Sequence, residues 1–328
     1  EPETHYPLTV NLCQCCGFVQ LGQVVSPEVL YRQDYPYESS MTRSGQAHWN
    51  EFAKTVVQRF GLGANDLVVD IGSNVGVLLS AFRSNGARIL GVDPASNIVR
   101  IAERNGVETL NEFFGPAVAE EIRKTKGQAS VITGTNVFAH VDDLAGFMRA
   151  VDHLLNERGV FIFEAPYFVN LVGQLEYDTI YHEHLSYLSL RPLVPFFRKF
   201  GMEVFDVEQR DIHGGSFRVY VARRGQHVRG MGDQGVDVAL DEGHLRQPGI
   251  AHGLQALEAG GRGHHVGAAH AFTRPTAEGA EVGGQALGQV QPGGQVGRGL
   301  AQALQRLLQS LGRRPEAADL GGPQQVHP

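Results

Sequence analysis

Residues 66–93 leave the chain few ways to fold. They read DLVVDIGSNVGVLLSAFRSNGARILGVD. An apolar run reaches Ile71, Gly72 and Gly76 bracket a turn, and Val77, Leu78, Leu79 and Phe82 recur at helical spacing until Asn85-Gly86 stops the helix. A second apolar run, ARILGVD, ends in Asp93. This is a β-α-β unit, and parallel strands joined by a crossover helix belong to a sheet covered on both faces. Glycine at 72 and 76 lets the backbone turn sharply and approach a ligand, while an acid ending the second strand can accept hydrogen bonds from ribose hydroxyls.

The turn has the form D-x-G-x-x-x-G. Ser73 and Asn74 stand where a dinucleotide fold sets a glycine against the pyrophosphate. That departure favours a nucleoside cofactor without phosphates, S-adenosylmethionine, over NAD; a ligand-free αβ turn is the plain alternative. Asp70 is then the candidate partner of a methionine ammonium group, and Gly72, Asn74, Gly76 and Asp93 are candidates for the rest of the cofactor. Downstream, ASVITG leads to a loop with Asn136 and His140, a helix carrying Leu144, Phe147, Met148 and Val151, and a strand expected to end at Glu164. Ligands of open α/β sheets bind beyond the carboxyl ends of the strands. Asn136 and His140 are therefore expected near the cofactor and Glu164 near the reacting end, although each is also a residue type that serves in loops and caps. Phe113 and Phe114 either cover an adenine ring or pack a helix.

Two segments carry proton chemistry. Tyr181-His182-Glu183-His184 precedes a helix anchored by Leu193, Val194, Phe196 and Phe197. Histidine titrates near neutrality and a neighbouring carboxylate can orient it, so this is a candidate general-base cluster. A metal site is a weaker alternative, because H-E-x-x-H spacing is missing; loop scaffolding is another. His213-Gly214-Gly215-Ser216 joins two final strands and is either a substrate-contacting turn or a simple connection. The candidate substrate contacts are Glu164, His182, His213, Gly214 and Ser216. Tyr35-Pro36-Tyr37-Glu38-Ser39-Ser40, ahead of a helix expected to start near His48, reads as a lid or a packed linker.

Cys13-x-x-Cys16-Gly17 has the spacing of one zinc knuckle. Four ligands are needed, and the cysteines are only Cys13, Cys15 and Cys16. His5 could assist, a preceding knuckle is expected to be missing, and a reduced cysteine pair is the alternative. Such clustering excludes a secreted disulfide framework and points to a reducing, cytoplasmic compartment. A net charge of -7 argues against a nucleic-acid binder, and an uninterrupted apolar run of the roughly 18 residues a membrane span requires is missing. The last 103 residues, 226–328, hold 21 of the 41 glycines, Phe272 as their only aromatic residue, and no lysine. This stretch is expected to be a largely disordered low-complexity tail, or the frameshifted remnant of a folded domain, with a lone amphipathic helix over residues 299–312.

Taken together, YPLTVNLCQCCGFVQL, YRQDYPYESS, VVDIGSNVGVLL, GVDPASNIV, YDTIYHEHLSYLSL and IHGGSFRVYVARR resemble the sugar C-methyltransferases that act on nucleotide-linked deoxysugars in antibiotic biosynthesis. The resemblance covers nearly all of residues 5–224. It implies an α/β fold with a seven-stranded Rossmann-like methyltransferase sheet closed by an edge hairpin. It divides the chain into a partial zinc-binding and lid segment (1–45), an S-adenosylmethionine domain (46–225) and a remnant of a sugar-binding domain (226–328). It further implies a dTDP-4-keto-deoxysugar substrate methylated at carbon three through an enolate. His184 is the implied base, Tyr181 and Glu183 orient it or stabilise the enolate oxygen, and Tyr37 closes over the substrate. A zinc ion would be structural, and a monomer or small homo-oligomer is expected.

Overall fold

A computed structural model describes residues 5–32, 35–39, 43–174 and 176–226. The glycine-rich tail from residue 227, the helix anticipated at 299–312, and Ser40 lie outside the described residues. At the front, β1 (Val10–Leu12) and β2 (Val19–Leu21) form a hairpin, followed by the short helix α1 (Pro27–Tyr31) and the long helix α2 (Arg43–Phe60). Helix α2 thus starts at Arg43, earlier than His48. The β-α-β unit forms as β3 (Leu67–Ile71), α3 (Val77–Ser84) and β4 (Arg88–Val92). Helix α4 (Ser96–Arg104), β5 (Thr109–Leu110), α5 (Pro116–Thr125), β6 (Ala129–Thr135), α6 (Leu144–Leu154) and β7 (Leu155–Pro166) continue the alternation. Last come α7 (Phe168–Gln174), β8 (Ser186–Tyr187), α8 (Leu190–Arg198), β9 (Met202–Arg210) and β10 (Ser216–Arg223).

Seven strands pair in the order β5-β4-β3-β6-β7-β10-β9. The first five run parallel, and β10 lies antiparallel to both β7 and β9, so the closing hairpin sits at one edge. This is the mixed α/β, Rossmann-like sheet expected from the sequence. All five residues of β3 are buried, as a central strand between two helical layers must be. One face of the sheet packs Leu67, Val69 and Ile71 with apolar residues of α5, α6 and α8. The other packs Val68 with Phe52 and Val56 of α2 and Leu79 and Phe82 of α3.

A smaller antiparallel sheet, β1-β2-β8, ties the front of the chain to the segment just after the Tyr181–His184 cluster. Cys13 and Cys16 lie in its hairpin turn, where the Gly17 N–H donates to the Cys13 carbonyl at 2.9 Å and the Cys13 N–H to the Phe18 carbonyl at 2.8 Å. Both side chains pack against the main core while Cys15 is exposed. Burial pushes the Cys16 thiol up to about 11, which keeps it protonated at neutral pH. Among the described residues no group of three or more His, Cys, Asp or Glu side chains could hold a metal ion. The zinc site expected at Cys13 and Cys16 is therefore not supported, and no chemistry is assigned to it. No helix among the described residues is long and apolar enough to cross a membrane.

Candidate active site

A cavity of about 830 Å³ opens at the carboxyl ends of β3, β4 and β6, a volume ordinary for small-molecule sites. The turn after β3 forms its floor. Gly72 and Gly76 have φ of 64° and 82°, in the left-handed region, and a Cβ at either would meet Val137 Cγ2 at 2.3 Å or Val107 Cγ2 at 2.7 Å. The two glycines are thus required by backbone and packing alike. Asn74, also left-handed at 51°, donates its backbone N–H to Asp93 Oδ2 at 2.9 Å. Asp93 Oδ1 accepts from the Ala95 N–H at 2.9 Å, so this strand-end carboxylate organises both turns.

Asp70 is almost fully buried, and Thr133 donates to its Oδ1 at 2.6 Å. Burial raises its pKa to about 7; the Thr133 hydroxyl opposes the shift and the nearby Asp93 charge adds to it. Burial also raises Asp93, against the two backbone N–H groups. Two buried carboxyl groups thus line that end of the cavity, and ionised Asp70 would attract a cation. Asn136, left-handed at φ 55°, lines the cavity too, and its buried Oδ1 has no hydrogen-bond partner. Phe113 and Phe114 line the same space; the Arg32 guanidinium lies 5.5 Å from the Phe113 ring, and Phe114 packs edge-on against Phe147.

The same cavity holds the proton-handling side chains Tyr181, Glu183 and His184. His184 Nδ1 lies 2.6 Å from the Thr179 carbonyl, and its Nε2 lies 3.0 Å from the Tyr181 hydroxyl. A carbonyl only accepts, so Nδ1 carries the proton and Nε2 is the basic nitrogen, receiving the Tyr181 O–H. Burial lowers the His184 pKa, the Thr179 bond opposes this, and His213 lowers it further. His140, 5.0 Å from His184 between ring centroids and stacked on Tyr31, is pushed down to about 3 by burial and by His184. It is a neutral ring at physiological pH. Burial and Glu183 push Tyr181 up to about 12, which leaves it a donor. Glu183 is raised by burial and receives the Tyr35 hydroxyl on Oε2 at 3.3 Å.

The cavity collects Tyr37, Tyr181, Glu183 and His184; the cofactor candidates Asp70, Gly72, Asn74, Asp93, Asn136 and His140; and His213 and Gly214 of the hairpin turn. Four candidates lie elsewhere. Gly76 packs beneath the turn against Val107. His182 turns to the front of the chain, with Nε2 3.4 Å from the Pro7 carbonyl and its ring edge-on to Tyr6. Ser216 is buried and donates to the Ile212 carbonyl at 3.1 Å. Glu164 does not end its strand, which continues to Pro166; it is fully buried between His48 Nε2 at 2.7 Å and Arg218 Nε at 2.9 Å. Burial raises the Glu164 pKa, but His48 and Arg218 outweigh it and hold the carboxylate below its ordinary value. Tyr31, whose hydroxyl donates to the Glu183 carbonyl at 3.3 Å, and Trp49 also line the cavity. Neither stands out in the sequence; Tyr31 and Tyr35 at helical i, i+4 spacing were the only hint.

The chain matches the methyltransferase domain family over residues 46–207. It is 41% identical over 220 residues, 67% of this chain and 52% of the relative, to the C-methyltransferase NovU of Streptomyces niveus. It is 28% identical over 115 residues, 33% of this chain and 46% of the relative, to the ubiquinone biosynthesis O-methyltransferase of Azorhizobium caulinodans. The chain thus spans about half the length of these curated relatives. Among solved structures, the magnesium protoporphyrin IX methyltransferase of Synechocystis PCC 6803 superposes with a TM-score of 0.43 at 13% identity, covering 57% of this chain and 90% of that one.

Proposed function

We propose that this chain, which matches the methyltransferase domain family over residues 46–207, performs S-adenosylmethionine-dependent C-methylation of a nucleotide-linked 4-keto-deoxysugar at carbon three. The observation that carries this reading is the basic Nε2 of His184 in the same cavity as the acidic cofactor wall. The identity to a C-methyltransferase, and the sugar-methyltransferase resemblance of the Tyr181–His184 and His213–Ser216 segments, support a carbon acid as the substrate.

The residues fit the cofactor. Asp70 offers negative charge to a methionine ammonium group, Asp93 would serve as acceptor for ribose hydroxyls, and the unpartnered Asn136 Oδ1 offers a further acceptor. When bound, S-adenosylmethionine would supply the methyl group for the enolate carbon, the methyl–sulfur bond breaking with its electron pair left on the neutral thioether. His184 Nε2 accepts the proton from carbon three while the C–H electron pair becomes the enolate, which the adjacent carbonyl stabilises. The Tyr181 hydroxyl must first leave Nε2 to free its lone pair for that proton, and it can then donate to the forming enolate oxygen, because its phenol stays protonated. Glu183, held by Tyr35 and Tyr31, orients the loop that carries both. Tyr37 covers the open side, and His213 and Gly214 border the sugar. Glu164 and Ser216 act as supports behind that wall.

The test is a methyl-transfer and hydrogen-exchange assay with a dTDP-4-keto-deoxysugar in deuterated water. Loss of the carbon-three hydrogen, and a new methyl on carbon in the product NMR spectrum, are expected. A methyl on oxygen or nitrogen would make this a transferase of a different substrate class. Neither exchange nor transfer would leave a binding protein with the methyltransferase fold.

A further inference from the structure

We propose that Asn97, which does not line the cavity, is a positioning residue that fastens residues 35–39 to the cofactor half of the molecule and so sets Glu183. This rests on the reading above for its kinetic consequences, but its structural content stands by itself. Asn97 lies in the first turn of α4, directly after the Asp93 turn. Its side-chain amide binds one residue twice: Oδ1 accepts the Tyr35 N–H at 3.2 Å and Nδ2 donates to the Tyr35 carbonyl at 2.9 Å. Both peptide groups flanking Tyr35 are thereby held, as a neighbouring strand would hold them. The Tyr35 hydroxyl in turn donates to Glu183 Oε2, and its ring packs edge-on against Tyr31, whose hydroxyl reaches the Glu183 carbonyl. Glu183 is thus held through its side chain and its main chain by aromatic residues that Asn97 anchors.

A second amide repeats the device. Asn74 Nδ2 donates to the Tyr37 carbonyl at 2.9 Å and its Oδ1 accepts the Ser39 N–H at 2.8 Å. Within residues 35–39, Tyr35 packs against Val75, Ala95 and Ile98, while Tyr37 is 48% exposed. Two asparagine amides, each rooted in a turn organised by Asp93, add main-chain hydrogen bonds to that packing. The strap joins the turn that faces the cofactor to the loop that faces the substrate, so holding one limits movement of the other.

The experiment compares the full chain with Asn97→Ala and Asn97→Asp by backbone amide hydrogen exchange without ligands, and by steady-state kinetics. The Asp variant keeps the acceptor for the Tyr35 N–H and suits the start of a helix; the Ala variant loses both bonds. Exchange at Tyr35, and at the His184 and Leu185 amides of the Glu183 loop, should accelerate roughly tenfold in the Ala variant and less in the Asp variant. The fold elsewhere should keep wild-type protection. In turnover, the Ala variant should lower kcat/KM about tenfold, with cofactor affinity, read from the fluorescence of Trp49, within about twofold of wild type. Unchanged exchange at residues 35 and 184–185, or faster exchange at 35 alone, would overturn the proposal. If exchange responds as expected but the wild-type chain transfers no methyl group, the positioning role stands and the methyltransferase reading falls.

Discussion

The Thr179 carbonyl fixes the proton on His184. With Nδ1 2.6 Å from an oxygen that can only accept, the imidazole presents its lone pair from Nε2, toward Tyr181 and the cavity. A buried base so held needs no tautomer exchange before it acts.

His184→Ala should lower turnover by about 10²- to 10⁴-fold, the usual worth of a positioned base, and leave cofactor affinity unchanged. Tyr181→Phe should also lower kcat, by a smaller factor. Steady-state kinetics together with a fluorescence titration on Trp49, the single tryptophan, checks both. Near-wild-type turnover in His184→Ala removes the base assignment. Because burial lowers the His184 pKa, wild-type turnover at saturating cofactor should hold through neutrality and fall only at more acidic pH.

Cofactor affinity should depend on pH through Asp70. Its carboxyl titrates at about 7 in the free chain, and a cationic ligand binds the ionised form. The proton must leave for binding, so the dissociation constant should rise about tenfold per pH unit below 7 and level off above it. Asp70→Asn should weaken binding and flatten this profile. Titrations between acidic and mildly alkaline pH decide it; a flat wild-type profile rejects the role.

Asp93→Ala should weaken cofactor binding and also lower Tm. The carboxylate accepts the Asn74 and Ala95 N–H groups, and leaving both unpaired in a buried turn costs about 1–3 kcal/mol each. Calorimetric titration and thermal unfolding separate the two effects. Unchanged affinity rules out contact with the cofactor, whatever happens to Tm.

Arg218→Met should destabilise the fold by about 3–5 kcal/mol, because Glu164 would keep its buried charge with only His48 beside it. Arg218→Met with Glu164→Gln should recover much of the loss. Since Glu164 is held below the ordinary carboxylate range, its contribution is complete above the unfolded value and fades as the pH falls through the folded one. Urea unfolding across acidic pH measures this, and equal loss in the single and double variants excludes the pairing.

The β-α-β unit and its acids were legible in the sequence because they are local: Asp70, Gly72, Gly76 and Asp93 lie within 24 positions, and the turn dictates where their backbones go. The edge hairpin was legible for the same reason. Glu164 was misplaced because strand position says how far along the sheet a residue lies but not which way its side chain turns. The antiparallel register that sets Arg218 opposite Glu164, and the packing of α2 that brings His48, decide that. His182 and His184 are two apart in one short motif, yet one meets Pro7 and the other the cavity.

By itself the sequence determined the sheet, the cofactor turn and the chemical types in the Tyr181–His184 loop, since each follows from spacing within a short stretch. Only the tertiary structure decided which of those groups share a cavity. Tyr31 and Tyr35 reach Glu183 across about 150 residues, and Asn97 and Asn74 reach back to the strap that carries Tyr35 and Tyr37. No local periodicity records such contacts, because they exist only after the sheet has brought distant turns to one edge.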